Sequence, residues 1–235
     1  MVSLPTIVVS SINHSLIDCI GAQMDPCVLP IMDNILNPAS WSYTLFVKPF
    51  LFVQALYHAV PWLIRARVSI CKPRIFKFFS ALRTSPPPFP TKALKIGAAG
   101  FCWGGYHTIQ LCHDSPSSRV AQNSESSASS NEKLPLIDCG FTAHPSNVTV
   151  PNDIVDISIP LSIAVGDEDM AMKGPKILEM KEILEVKKNG DHVVNLIPGA
   201  KHGFSLRTDP EDEFQMECAE RAEVQAIEWF TKWFS

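Results

Sequence analysis

Lys95-Ile-Gly-Ala-Ala-Gly-Phe-Cys102-Trp-Gly-Gly105 is the stretch on which the reading of the fold turns. Lys95 to Gly100 is a run of small and branched residues that reads as a short buried strand. A helix pattern resumes from Tyr106 to Cys112. Between the two stand glycines and one nucleophilic side chain. Gly100-x-Cys102-x-Gly104 has the spacing of the G-x-S-x-G nucleophile elbow, with cysteine in the serine position. Such a turn strains the nucleophile's backbone so that its side chain stands above the sheet edge. Glycines two before and two after are required where neighbouring strand and helix leave no room for a Cβ. The Cys102 thiol is then expected at a helix N-terminus, where the dipole and free N–H groups favour thiolate. A buried structural cysteine in a glycine-rich turn is the alternative that this stretch by itself leaves open.

Downstream, strand and helix patterns alternate. Leu136–Phe141, Pro160–Val165 and Val193–Ile197 read as strands, and Lys176–Lys188 as a helix stopped by Gly190. Asp209 and Pro210 are suited to N-cap and first position of a last helix. Ala222, Ala226, Phe230 and Trp233 give that helix one apolar face. The alternation predicts a mostly parallel sheet with helices on both faces. In such sheets chemistry gathers at the carboxyl ends of the strands. Cys102, the acidic cluster Asp167-Glu168-Asp169 and His202 each fall just after a predicted strand. Their order, nucleophile then acid then histidine, is that of the α/β-hydrolase arrangement. His144 also closes a strand candidate, and reads as a loop histidine with a structural hydrogen bond.

Upstream the chain is less regular. Thr6 to Val9 fits a strand, Asn13 to Ile20 a short helix, and Met24 to Pro30 a loop. Residues 42–82 are apolar and aromatic, and Thr44 to Ile64 is long enough to span a bilayer on length alone. Lys48, Pro49, His58 and Pro61 interrupt it, so two helices broken near Pro61 and Pro73 are expected, with Arg65, Arg67, Lys72 and Arg74 on a solvated face. Ser85–Pro90 is a stiff proline-rich connector. Ser115–Glu132 is serine-rich and too polar to bury apolar surface, which predicts a disordered surface insertion.

At 235 residues, 46% hydrophobic and 19% charged, the chain suits one α/β domain over 1–235. Its net charge of −4 gives no reason to expect nucleic acid as a partner, and no stable membrane insertion is expected. Seven scattered cysteines without CxxC pairs suit reduced thiols in the cytoplasm, and the N-terminus lacks the basic region of a secretory signal. No His/Cys spacing points to a metal. Oligomeric state is not legible.

Gly100-Phe-Cys-Trp-Gly-Gly105, Phe141-Thr-Ala-His-Pro-Ser146 and Lys201-His-Gly-Phe204 resemble segments of the dienelactone hydrolase family, and its fungal members in particular. The resemblance runs over about residues 40–235 and is clearest from 93 onward, while 1–40 match poorly. It implies an α/β-hydrolase-like fold, with N-terminal strands incomplete or divergent. It also implies a Cys102–His202–Asp169 triad, no cofactor, and a small ester or enol-lactone as substrate. The family's G-x-x-D spacing selects Asp169, with Asp167 as rival and Glu168 pointing away. The Trp103 backbone N–H is the expected oxyanion donor, and Arg207 the expected contact for a substrate carboxylate. The second oxyanion loop of the family has no match in residues 1–40. A thioesterase with the same triad, or a non-catalytic α/β-hydrolase-like binding protein, are the alternative readings.

Overall fold

The computed structural model describes residues 6–10, 25, 27–86, 94–121, 133–187 and 191–235. The chain divides into two compact units, one of residues 12–75 and one of residues 1–11 with 76–235. The expected helix at Asn13–Ile20, the core of the proline connector and Gly190 lie outside the described residues. So do Met24 and Pro26 of the expected Met24–Pro30 loop, whose last three residues are not loop but the first turn of a helix.

Four helices follow one another from residue 28: α1 (Val28–Leu36), α2 (Trp41–Phe46), α3 (Lys48–Arg65) and α4 (Val68–Thr84). Ser40 starts α2 by accepting the Tyr43 N–H on its hydroxyl. Pro49 lies in the first turn of α3, where its missing N–H costs nothing. The expected breaks at Pro61 and Pro73 are not there. Both prolines lie inside helices, and the chain breaks at Val47 and at Ala66–Arg67. A proline removes one N–H, here the donor for the Tyr57 or Ser69 carbonyl, but does not by itself end a helix. Ala55, Ala66, Cys71 and Ile75 are buried on either side of the two prolines, and their burial offsets the lost bonds. None of the described helices is long and apolar enough to cross a membrane.

The other unit is built on a five-stranded sheet. Its strands are β1 (Thr6–Ser10), β2 (Ile96–Phe101), β5 (Cys139–Ala143), β6 (Leu161–Glu168) and β7 (Val193–Lys201), hydrogen-bonded in the order β1-β2-β5-β6-β7. Every neighbouring pair is parallel. The strand read at Thr6–Val9 is therefore present, with Ser10 opposite Gly100. Helices α5 (Trp103–Cys112), α6 (Gly174–Glu185) and α7 (Glu213–Phe234) complete the unit.

The period of two along β5 decides which helix covers which face. Cys139, Phe141 and Ala143 share a buried cluster with Trp229 and Phe230 of α7. A Cβ at Gly140 would instead meet Cys112 and Thr108 of α5. The two helices thus lie on opposite faces, as predicted. All five residues of β5 are buried, so the strand is apolar throughout rather than alternating. Burying a side chain such as Phe141 or Phe230 contributes about 1.5–3 kcal/mol.

Two expectations need correction. The last helix starts at Glu213 with Asp212 as N-cap, its carboxylate accepting the Gln215 N–H at 3.0 Å. Asp209 is occupied in a turn before it, accepting the Glu211 N–H on its side chain and the Asp212 N–H on its carbonyl, both at 3.0 Å. Residues 115–121 of the serine-rich insertion form a short helical turn and a strand. Ser118 hydrogen-bonds back to the Ser115 carbonyl, and β3 (Val120–Ala121) pairs antiparallel with β4 (Lys133–Leu134). Residues 122–132 lie outside the described ones.

Arg83, only 1% exposed, fastens the end of α4 to the start of the sheet. It donates to the Leu94 carbonyl and to the Asp138 carboxylate, each at 2.8 Å. The same Asp138 oxygen accepts the Ile96 N–H at 2.6 Å. Breaking a buried pair strands the partner's charge. Because Asp138 keeps some exposure, Arg83→Met is expected to cost about 3 kcal/mol, the low end for such pairs. Urea unfolding of the two proteins checks this, and a loss below about 0.5 kcal/mol would show the pair to be dispensable.

Candidate active site

Cys102 sits between β2 and α5 with φ 52° and ψ −119°, a backbone conformation that costs a non-glycine residue about 1–3 kcal/mol. The surrounding chain holds it there. A Cβ at Gly100 would lie 2.4 Å from the Gly104 carbonyl oxygen, and one at Gly105 would lie 2.3 Å from the Thr142 Oγ1. Glycine is thus demanded at 100 by the turn and at 105 by the close approach of α5 to β5. The Cys102 carbonyl accepts the N–H groups of Gly105 and Ser146, each at 3.0 Å, and its own N–H donates to the Ala143 carbonyl at 3.3 Å. That last bond leaves the Trp103 N–H, not that of Cys102, facing the sulfur at the helix start.

His202 follows β7 and Asp169 follows β6, so the parallel sheet delivers both to the carboxyl edge where Cys102 lies. His202 Nε2 and Cys102 Sγ are 3.1 Å apart, and His202 Nδ1 stands 2.8 Å from Asp169 Oδ1. Asp169 is 2% exposed, and the same oxygen also accepts the Ala171 N–H at 2.7 Å. Asp167 is exposed and accepts the Gly199 N–H at 2.6 Å, away from the histidine, while Glu168 is exposed at the strand end. A bulge between Gly166 and Glu168 separates the rivals. It forms where a Cβ at Gly166 would fall 1.9 Å from the Ala200 carbonyl oxygen. Gly203, at φ +90°, turns the chain immediately after His202.

Burial pushes the Cys102 thiol up. The hydrogen bond and positive charge of His202, with smaller help from Ser146 and the Trp103 N–H, outweigh that and leave it below its ordinary value. Burial likewise opposes charge on His202, but its bonds to Asp169 and then to Cys102 raise it to about 9. The cysteine and histidine therefore favour thiolate and imidazolium as a coupled pair. Cys102 is partly accessible, whereas burial raises Cys112, Cys139 and Cys71, and the Asp25 carboxylate raises the exposed Cys27. Limiting iodoacetamide near neutral pH is accordingly expected to label Cys102 first, read by peptide mass spectrometry. Labelling of Cys27 or Cys71 with Cys102 untouched would contradict the thiolate assignment.

Two further residues, His144 and Ser146, enter the site without having been assigned a role in it from the sequence. His144 is buried at φ 40°, its ring centroid 5.2 Å from that of His202, with Nε2 hydrogen-bonded to the Ser205 Oγ at 2.8 Å. Burial first, and the charge of His202 second, lower it to about 3, so it stays neutral beside a charged neighbour. The structural hydrogen bond expected of it is present, and so is its place against the histidine loop. Ser146 lies with its Oγ 3.6 Å from Cys102 Sγ. The Ala-His-Pro-Ser segment was the available signal for both His144 and Ser146. Arg207 is exposed, its N–H donating to the Gly203 carbonyl at 2.9 Å, and its side chain crosses close over Gly203. Among the described residues no three His, Cys, Asp or Glu side chains are grouped to hold a metal.

With this geometry described, comparison with known proteins adds the following. Residues 125–234 match the dienelactone hydrolase family. A 139-residue stretch is 30% identical to a curated protein of Talaromyces stipitatus described as hydrolase tropI, covering 59% of this chain and 46% of that protein. The match thus spans under half the length of that relative. The crystal structure of a dienelactone hydrolase from Anabaena variabilis superimposes with a TM-score of 0.51 at 16% identity, covering 98% of this chain and 88% of that one. At that identity the likeness speaks for the α/β-hydrolase fold alone.

Proposed function

We propose that this chain, whose residues 125–234 match the dienelactone hydrolase family, is a member of it and hydrolyses a small ester or enol-lactone through a Cys102–His202–Asp169 triad. The observation that carries the reading is the unbroken relay of 3.1 Å from sulfur to imidazole and 2.8 Å from imidazole to carboxylate.

In this mechanism Cys102 Sγ attacks the acyl carbonyl, and His202 Nε2 holds the proton that leaves the thiol. The imidazolium keeps its Nδ1–H on Asp169, which fixes the tautomer and stabilises the charge. The carbonyl oxygen, now negative, is stabilised by the Trp103 N–H at the start of α5, where the helix dipole adds to the field. His202 passes its proton to the leaving alkoxide or enolate, and a thioester remains on Cys102. His202 then draws a proton from water as the water attacks that thioester, and Cys102 departs as thiolate. Beyond the substrate and water, each step uses a group of this chain. Six described cysteines are free thiols, which fits the cytoplasm as the working compartment.

The test is a panel of aryl esters and small lactones offered to the purified chain. Hydrolysis with a mass adduct of the acyl group on Cys102 is the expected result. Absence of turnover across the panel, with the thiol still alkylatable, would turn the reading toward a binding protein. Arg207 is proposed to meet a substrate carboxylate through its two-pronged guanidinium. Arg207→Ala is therefore expected to reduce kcat/KM for anionic esters about tenfold while leaving neutral esters unchanged, the loss of one exposed charge-assisted contact. An unchanged preference would remove Arg207 from the substrate site.

A further inference from the structure

Helix α3 presents a broad apolar surface to solvent. Phe50, Val53, Tyr57, Val60 and Ile64 recur at steps of three and four and all are exposed, Phe50 to 69% and Tyr57 to 77%. Phe52, Leu56 and Leu63 widen the same surface. At about 100° per residue these positions, with Pro49 and Pro61, cover roughly 180° of the helix, and none is charged. Ala55 lies buried on the other side, and α1 packs against the helix. Trp41 and Phe46 of α2 are exposed to 77% and 72%.

Cations outnumber carboxylates in the helical unit, where Lys48, Arg65, Arg67, Lys72 and Arg74 stand against Asp25 and Asp33 among the described residues, and Asp25 is already paired with His58. Within the helical unit, Lys48 stands at one end of the apolar arc, and Arg65 and Arg67, both exposed, stand at the other. We infer that the α2–α3 surface docks on an anionic lipid bilayer, lying in its interface and not spanning it.

Two observations choose that occupant. A partner helix reads a narrow stripe, whereas half the circumference of α3 is apolar and ringed by aromatic residues, as an interfacial helix requires. A second copy of the chain is disfavoured by charge. Parallel pairing sets Lys48 on its own counterpart, antiparallel pairing sets it on Arg65, and α3 itself carries no carboxylate to relieve either contact. A bilayer of phosphatidylserine or a similar anionic lipid receives the apolar arc and neutralises the cations together. The inference does not depend on the hydrolase reading.

The full chain is to be floated with vesicles of phosphatidylcholine alone and of phosphatidylcholine with phosphatidylserine. Flotation with the anionic vesicles, weakened by salt, is expected. Val53→Asp with Tyr57→Asp is expected to lower binding at least tenfold, since charge enters the apolar face. Arg65→Gln with Arg67→Gln is expected to lower it about 25-fold, near fivefold for each cation removed. Both pairs lie at exposed positions, and unchanged far-ultraviolet circular dichroism certifies their fold. The proposal is overturned if the unaltered chain fails to float, if Val53→Asp with Tyr57→Asp floats unchanged, or if neutral vesicles bind as well as anionic ones. A lipid-free oligomer dissolved by the aspartate pair, without flotation, overturns it in favour of self-association. Saturable binding of an acidic amphipathic peptide without flotation overturns it in favour of a protein partner.

Discussion

Cys102→Ala is expected to lower kcat/KM for any ester the chain hydrolyses by about 10⁴–10⁶-fold, with the fold intact. The size follows from where the residue stands. In the proposed mechanism its sulfur forms the bond to the acyl carbon, so its loss would remove the covalent route and idle His202, which then has no thiol proton to hold. Stability should change little, because the side chain is only partly buried and an alanine Cβ fits the same elbow backbone. Positive φ at 102 also persists in the variant, so relief of strain by a compensating turn is not expected. Parallel measurements of turnover, thermal unfolding and the acyl adduct on the 95–112 segment decide the matter. A variant within tenfold of the parent rate would mean that another group attacks the substrate, and the proposed function would fail with it.

Asp169→Asn is expected to lower kcat by about 10⁴-fold, while Asp167→Asn should cost less than tenfold. An amide at 169 turns a donor toward His202 Nδ1 or forces the wrong tautomer, and the imidazolium loses its partner. Asp167 accepts only a backbone N–H from Gly199, a bond an asparagine oxygen can also accept. The pH dependence separates a relay role from a structural one. The Asp169 bond is the leading force raising His202 to about 9, so its removal moves the alkaline limit of the thiolate–imidazolium pair to lower pH. The same sign governs stability. A histidine raised in the folded state contributes fully below about 6.5, its unfolded value, and the contribution fades as pH rises through about 9. The stability difference between parent and Asp169→Asn should therefore narrow across that window. A larger loss of kcat at Asp167 would exchange the two carboxylates.

The elbow, the alternation of strands and helices and the apolar face of α7 were legible because each is a local pattern. A strand–glycine–cysteine–helix run fixes its own backbone, and Ala222, Ala226 and Phe230 repeat at the helical period on one side. Parallel pairing then required only that the acid and the histidine follow their strands. The choice between Asp169 and Asp167 was of another kind. Sequence places both just past the same expected strand, two and four residues after Val165. Which one is buried is decided across the sheet, where the register shifts between Gly166 and Glu168 and a Cβ at Gly166 would meet the Ala200 carbonyl. His144 against His202 and Ser146 against Cys102 are likewise contacts between distant segments, the latter separated by 44 positions. Pro61 and Pro73 read as breaks because local chemistry opposes them, yet burial on both sides carries the helices through. On α3 the composition showed an apolar helix, but which half is buried against neighbours and which meets solvent is set by packing. Periodicity along a chain reports the shape of an element; register, bulges and burial between elements decide what its side chains touch.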